Sequence, residues 1–182
     1  MSKRQQDAAH NRDGLLNAAE EIFQTHGIHV PLQVVIDHAG VGRATFYRNF
    51  ADRKALVVAL LERAISQLEQ RAKTLEIYED GFIRLIESHV EQLPHLIVLN
   101  DYWRIIDRYD PIMLNIYQRR DQALQPLIEQ AIQHQLCRPD LTPQDFAMIT
   151  AILSSSFRGH TILEQIRLAK RAIELLLNGI KV

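Results

Sequence analysis

A lone cysteine, Cys137, leaves the chain without any intramolecular disulfide framework. Glycine and proline are scarce, seven and six in 182 residues, so little interrupts regular structure. No stretch alternates apolar and polar residues over six or more positions, and strands are not needed. The longest clean apolar run, ALVVALL at 55–61, is far too short to cross a bilayer. The polar start, MSKRQQDAAHNRD, holds no signal-peptide core. These absences predict a cytoplasmic protein with no membrane partner. Charge of one sign is lacking too. With a net charge of −1, any case for nucleic acid must rest on where the charges sit.

What the chain does have is apolar residues at helical spacing, and at 47% hydrophobic it can bury a substantial core. The pattern predicts an all-α protein of about nine helices. The first covers about 12–25, with Leu15, Ala18, Ala19, Ile22 and Phe23 on one stripe and Gly27 just past its end. A short second helix, Leu32 to Ala39, follows Pro31 and turns Val35 and Ile36 inward. Gly40 fits a left-handed stop beyond it. The third, Arg43 to Phe50, turns Phe46 and Phe50 inward and spreads Ala44, Thr45, Tyr47 and Arg48 over its other side. Arg43 falls nearer the buried edge by angle, but at the helix start its side chain can reach past the terminus. Asp52 is a good N-cap for a fourth helix running to about Lys73.

Three helices with a glycine turn between the second and third have the grammar of a helix-turn-helix. Residues 42–54 carry Arg43, Arg48, Arg53 and Lys54 against Asp52, four charges less one, a local +3. Cations concentrated beside the exposed face suit docking onto phosphates. The plain alternative is a helical hairpin with solvated arginines.

The segments LLNAAEEIFQTHG and VVIDHAGVGRATFYRNFADRKAL, within about Arg12 to Leu61, resemble the DNA-binding domain of the TetR/AcrR family of bacterial transcriptional regulators. The resemblance implies a helix-turn-helix domain over 1–54, with a recognition helix at about 43–49, and a helical effector-binding and dimerisation domain over 55–182. It implies base reading by Gln33, Arg43 and Ala44, and phosphate contacts by Thr45, Tyr47 and Arg53. Arg48 and Asn49 occupy positions that touch either bases or backbone in relatives, and Gly42 and Lys54 complete the expected DNA face. The chemistry agrees: arginine can pair with guanine, glutamine with adenine, and an alanine methyl with that of thymine. Pro31 stands where the family often has threonine or serine, so a phosphate contact from that hydroxyl is not implied.

Beyond residue 74 the resemblance fades. A fifth helix is expected over about 80–92, and Pro94 opens another to about Arg108. Asp110-Pro111 caps a long helix to about Gln135, which Pro126 should kink or interrupt. Thr142-Pro143 with Asp145 reads as a capped start to the next. In the last two helices, Phe146, Ile149, Leu153 and Phe157 share one stripe, and Leu163, Ile166, Ile173 and Leu177 another. A further stripe holds Leu168, Ala172, Leu175 and Leu176. One apolar face serves the intrachain core and a second needs another cover, unless the last helix is buried all round. The expected interface of a two-fold homodimer is Phe146, Ile149, Leu153, Phe157, Ile166, Ile173 and Leu177. Its two recognition helices, about 34–36 Å apart, would read an inverted repeat in double-stranded DNA.

Aromatic walls with a few polar groups make small-molecule pockets. Phe82, His89, Tyr102, Trp103, Arg104, Tyr109, Met113 and Tyr117 are the candidates for an effector site, with NDYWR at 100–104 the richest stretch; taken singly, each reads first as ordinary core. No phosphate loop, dinucleotide fingerprint or nucleophile elbow is present, so an enzyme is not expected. The eight histidines lack ligand spacing backed by carboxylates, and His26 and His29 flank a turn; no metal or cofactor is expected. Cys137 reads as a filler or a redox sensor. A helical scaffold would explain a dimer surface but not the arrangement at 40–53. The sequence therefore predicts a homodimeric repressor of an inverted-repeat operator, released by a small molecule.

Overall fold

The computed structural model describes residues 3–88, 90, 106–155 and 161–180, and they form eight α-helices and no strand. These are α1 (Lys3–His26), α2 (Leu32–His38), α3 (Arg43–Asn49), α4 (Arg53–Leu75), α5 (Gly81–Glu87), α6 (Pro111–Gln133), α7 (Pro143–Ser155) and α8 (Ile162–Ile180). The helix expected to open at Pro94 lies outside the described residues, as do His89, Tyr102, Trp103, Arg104 and Phe157. No described helix is long and apolar enough to cross a membrane. α1 begins well before Arg12, because the polar residues ahead of it carry no stripe that periodicity could reveal.

The first three helices close around Leu15, Ala19, Ile22 and Phe23 of α1, Val35 and Ile36 of α2, and Phe46 and Phe50 of α3 and its end. α2 stops where the sequence says it should. Gly40 takes φ +65°, its N–H bonds the Asp37 carbonyl at 3.1 Å, and the Val41 N–H reaches Ile36 at 3.3 Å. That pair of bonds ends a helix through a left-handed residue, and half-buried Val41 packs back on the core.

α4 is the spine. Its Asp52 cap accepts from the Ala55 N–H at 2.8 Å. Arg63 then binds Glu20 and Asn17 of α1, both at 2.7 Å, and Glu69 takes both arms of Arg119 from α6 at 2.7 and 2.6 Å. Gly81, where a Cβ would run into the Leu75 carbonyl, lets α5 fold back onto α4. The expected domain boundary after residue 54 thus falls in the first turn of one continuous helix.

Two expectations for the second half change. α6 runs through Pro126 without interruption. Pro126 and Gln122, whose carbonyl loses its helical partner, are both exposed, so water can make the missing bond. The Thr142 cap is as expected: Asp145 accepts from the Thr142 N–H and hydroxyl, each at 2.7 Å. The expected dimer residues are the second change. Phe146, Ile149, Leu153, Ile173 and Leu177 are buried within the single chain and Ile166 is half-buried, so this stripe faces the intrachain core. The apolar side chains left outside are Met148 (60% exposed) and Ile152 on α7, and Leu163 and Leu175 (57%) on α8.

Candidate nucleic-acid interface

α3 is held by its inner face and offers the outer one. Phe46 and Phe50 are buried with ring centroids 5.8 Å apart, and Tyr47, 54% exposed, stands edge-on to Phe46 at 5.3 Å. Arg43, Ala44 and Arg48 are exposed, Thr45 and Asn49 half-buried. Gly42 caps the helix with an extended backbone and open space where a Cβ would sit, so the fold does not require glycine there.

Hydrogen bonds join the candidate base-reading residues across the turn. Arg43 Nε donates to Gln33 Oε1, and Gln33 Nε2 donates to Asp37 Oδ1 at 2.6 Å. α2 and α3 therefore present Arg43 and Gln33 as one pre-oriented pair. Contrary to its helical angle, Arg43 points outward; at the first position of the helix nothing precedes it to cover it. Arg48 folds along α3, with Nε on the Ala44 carbonyl at 3.1 Å and Nη2 on Thr45 Oγ1 at 3.0 Å. Asn49 Nδ2 donates to the Thr45 carbonyl at 2.8 Å.

The remaining cations are engaged elsewhere. Arg53 donates from both terminal nitrogens to the carbonyls of Ile28 and Val30, and its guanidinium lies 6.0 Å from the Phe23 ring centre. Burial pushes its pKa below the ordinary arginine value. Arg53 braces the α1–α2 connection, a task its place beside an N-cap did not reveal. Lys54 Nζ lies 2.7 Å from Asp110 Oδ2, joining the start of α4 to the cap of α6. That hydrogen bond raises the Lys54 pKa and lowers that of Asp110. Sequence reasoning also missed Arg12, which donates to the Asn49 carbonyl at 3.2 Å and covers the Phe50 ring at 4.6 Å. Asn49 lies 37 residues away and Phe50 one further, where no local spacing reaches.

Residues 15–60 match the family model described as "Bacterial regulatory proteins, tetR family". The match takes in the second half of α1, all of α2 and α3, and the first two turns of α4. In fold, the chain is similar to solved TetR regulators. A TetR transcription regulatory protein from Mycobacterium vanbaalenii superposes with a TM-score of 0.68 at 22% identity, covering 98% of this chain and 99% of that one. The TetR regulator SCO0520 from Streptomyces coelicolor gives 0.68 at 23%, covering 93% and 98%. SmeT, the repressor of the Stenotrophomonas maltophilia multidrug efflux pump SmeDEF, gives 0.60 at 18%, covering 93% and 89%. No curated protein matches the sequence.

Of the effector candidates, Phe82, Tyr109, Met113 and Tyr117 lie among the described residues. Phe82 and Met113 are sealed in the core, Phe82 packing on Phe146 with centroids 6.3 Å apart. Tyr117 is half-buried beside Arg120. Tyr109, 72% exposed, sits in the turn before α6, where its N–H bonds Asp107, and so walls no interior site. Cys137 is buried after α6, a packing position for a thiol.

Proposed function

We propose that this TetR-family regulator is a cytoplasmic homodimeric repressor that reads an inverted-repeat operator and is released by a small molecule. Residues 1–54 bind DNA, and residues 55–182 bind the effector and the second copy. The observation that carries the reading is the outer face of α3: Arg43, Ala44, Tyr47 and Arg48 lie outside, with Arg43 set against Gln33. Arginine and glutamine side by side form a donor–acceptor pair suited to adjacent base edges in a major groove. Thr45, Tyr47, Asn49 and the backbone at Gly42 position α3 on phosphates.

The second copy covers the outer apolar face of α7 and α8, where Met148, Ile152 and Leu175 are exposed and Leu168, Ala172 and Leu176 half-buried. This is the stripe opposite to the one buried in the chain. Repression, the role named for the Stenotrophomonas relative, follows if the operator overlaps a promoter. Selection of bound sequences from random duplex DNA tests the reading. A palindromic motif is expected, with affinity falling steeply as salt rises; no enrichment would overturn it.

A further inference from the structure

The row of side chains that begins at Arg43 and Gln33 ends on a carboxylate. Asp37, exposed in the last turn of α2, accepts from Gln33 Nε2 at 2.6 Å, while Gln33 Oε1 accepts from Arg43 Nε. A carboxylate is locally disfavoured there on two counts. The last turn of a helix carries negative partial charge, and the side chain lies beside the face that would meet phosphate. Among the described residues no cation pairs with it; the neighbouring His38 turns to Glu21 instead, at 2.7 Å. What Asp37 does hold is Gln33, four residues back on the same side of α2. A guanidinium has only donors and a carboxylate only acceptors, so Oε1 must face Arg43 and Nε2 must face Asp37. The reversed amide would set donor against donor at one end and acceptor against acceptor at the other. Charges at both ends therefore fix which way round the half-buried Gln33 amide sits.

We propose that Asp37 is a specificity-determining positioning residue, which locks the Gln33 amide in the orientation that reads adenine. The proposal rests on the reading of Gln33 and Arg43 as base contacts and deepens it. Adenine in the major groove needs an acceptor for its N6 amino group and a donor for N7, in that order. After its two internal bonds Gln33 keeps one lone pair on Oε1 and one N–H on Nε2, so it offers both with their order set. A freely turning amide would present either order and tolerate other base edges. Arg43, with Nε engaged, keeps its two terminal nitrogens for guanine. Asp37 thus acts through Gln33 and touches no base. Its charge also weakens the attraction of every phosphate backbone, which lowers random binding while the oriented pair keeps specific binding.

Discrimination at the base pair read by Gln33 tests it, that pair being the one whose preference Gln33→Ala loses in binding-site selection. Asp37→Ala and Asp37→Asn both remove a negative charge beside phosphate and should bind all duplexes more tightly. The quantity read is therefore a ratio, the affinity for the selected site over that for the site changed at this pair. In the parent the ratio is expected to be about tenfold or more. Asp37→Ala should lower it to about threefold or less, because nothing then holds Nε2. Asp37→Asn, whose side-chain oxygen still accepts from Nε2, should restore most of it. Both variants should melt within about a degree of the parent, since Asp37 is exposed. In a Gln33→Ala background, Asp37→Ala should change preference at no base pair. A ratio in Asp37→Ala equal to the parent's overturns the proposal. So does a loss as large in Asp37→Asn, or a new change of preference in the Gln33→Ala background. If Gln33→Ala loses preference nowhere, the assignment of Gln33 fails and the proposal with it. A parent that selects no motif at all overturns the DNA reading on which both rest.

Discussion

Arg43 is exposed at the first position of α3 with Nε on Gln33, while Arg53 points inward to the Ile28 and Val30 carbonyls. The two arginines therefore should fail differently. Arg43→Ala is expected to leave the melting temperature within about a degree, because its surface contacts contribute little to folding. It should cost about 1–3 kcal/mol of operator affinity and relax preference at one base pair. Binding-site selection repeated with the variant checks this, and an unchanged motif would remove Arg43 from direct readout. Arg53→Ala should instead lose stability, by about 1–3 kcal/mol, since two carbonyls lose a charged donor. Denaturant melts measure it. A variant as stable as the parent would mean that the guanidinium leaves those carbonyls and is available to phosphate.

At the scale of elements, the pair between Lys54 and Asp110 ties α4 to α6 across the proposed domain boundary. Asp110 also caps α6, accepting from the Ile112 N–H at 3.0 Å. Asparagine caps about as well as aspartate, so Asp110→Asn removes the charge and keeps the cap. The variant releases Lys54 toward DNA. One further phosphate contact should steepen the log–log salt dependence of binding by about 0.9 per subunit. An unchanged slope would show that Lys54 does not reach phosphate. The sign of the pH effect follows from the same pair. Lys54 and the Ile112 N–H hold the Asp110 carboxyl below its ordinary value. Its stabilising share is therefore present at neutral pH and fades as pH falls through the lowered value. Parent and variant melts should separate near neutrality and converge in acid.

At the scale of the molecule, the exposed apolar stripe of α7 and α8 is the proposed seat of the second copy. Ile152→Asp with Leu175→Asp is expected to give a folded monomer in sedimentation, with operator binding reduced at least about a hundredfold. Phe146→Asp, which buries a carboxylate in the single-chain core, should unfold the protein. A double variant that stays dimeric would move the interface elsewhere.

Wherever the determinant was local, the sequence could be read directly. The stop at Gly40, the caps at Asp52 and Thr142, and the division of α3 into buried phenylalanines and outer polar residues all follow from spacing and residue type. Gln33 and Arg43 were named as candidate reading residues through the resemblance to a family pattern that spans about fifty residues. The sequence likewise determined that α7 and α8 carry two apolar faces. Only the tertiary structure decided which face was inner, because periodicity gives an angle around a helix and not the neighbour at that angle. It also decided what the cations do. Arg12, Arg53, Lys54 and Arg71 have the same charge, but long side chains reach partners distant in sequence, so a carbonyl, a carboxylate or a hydroxyl can meet them.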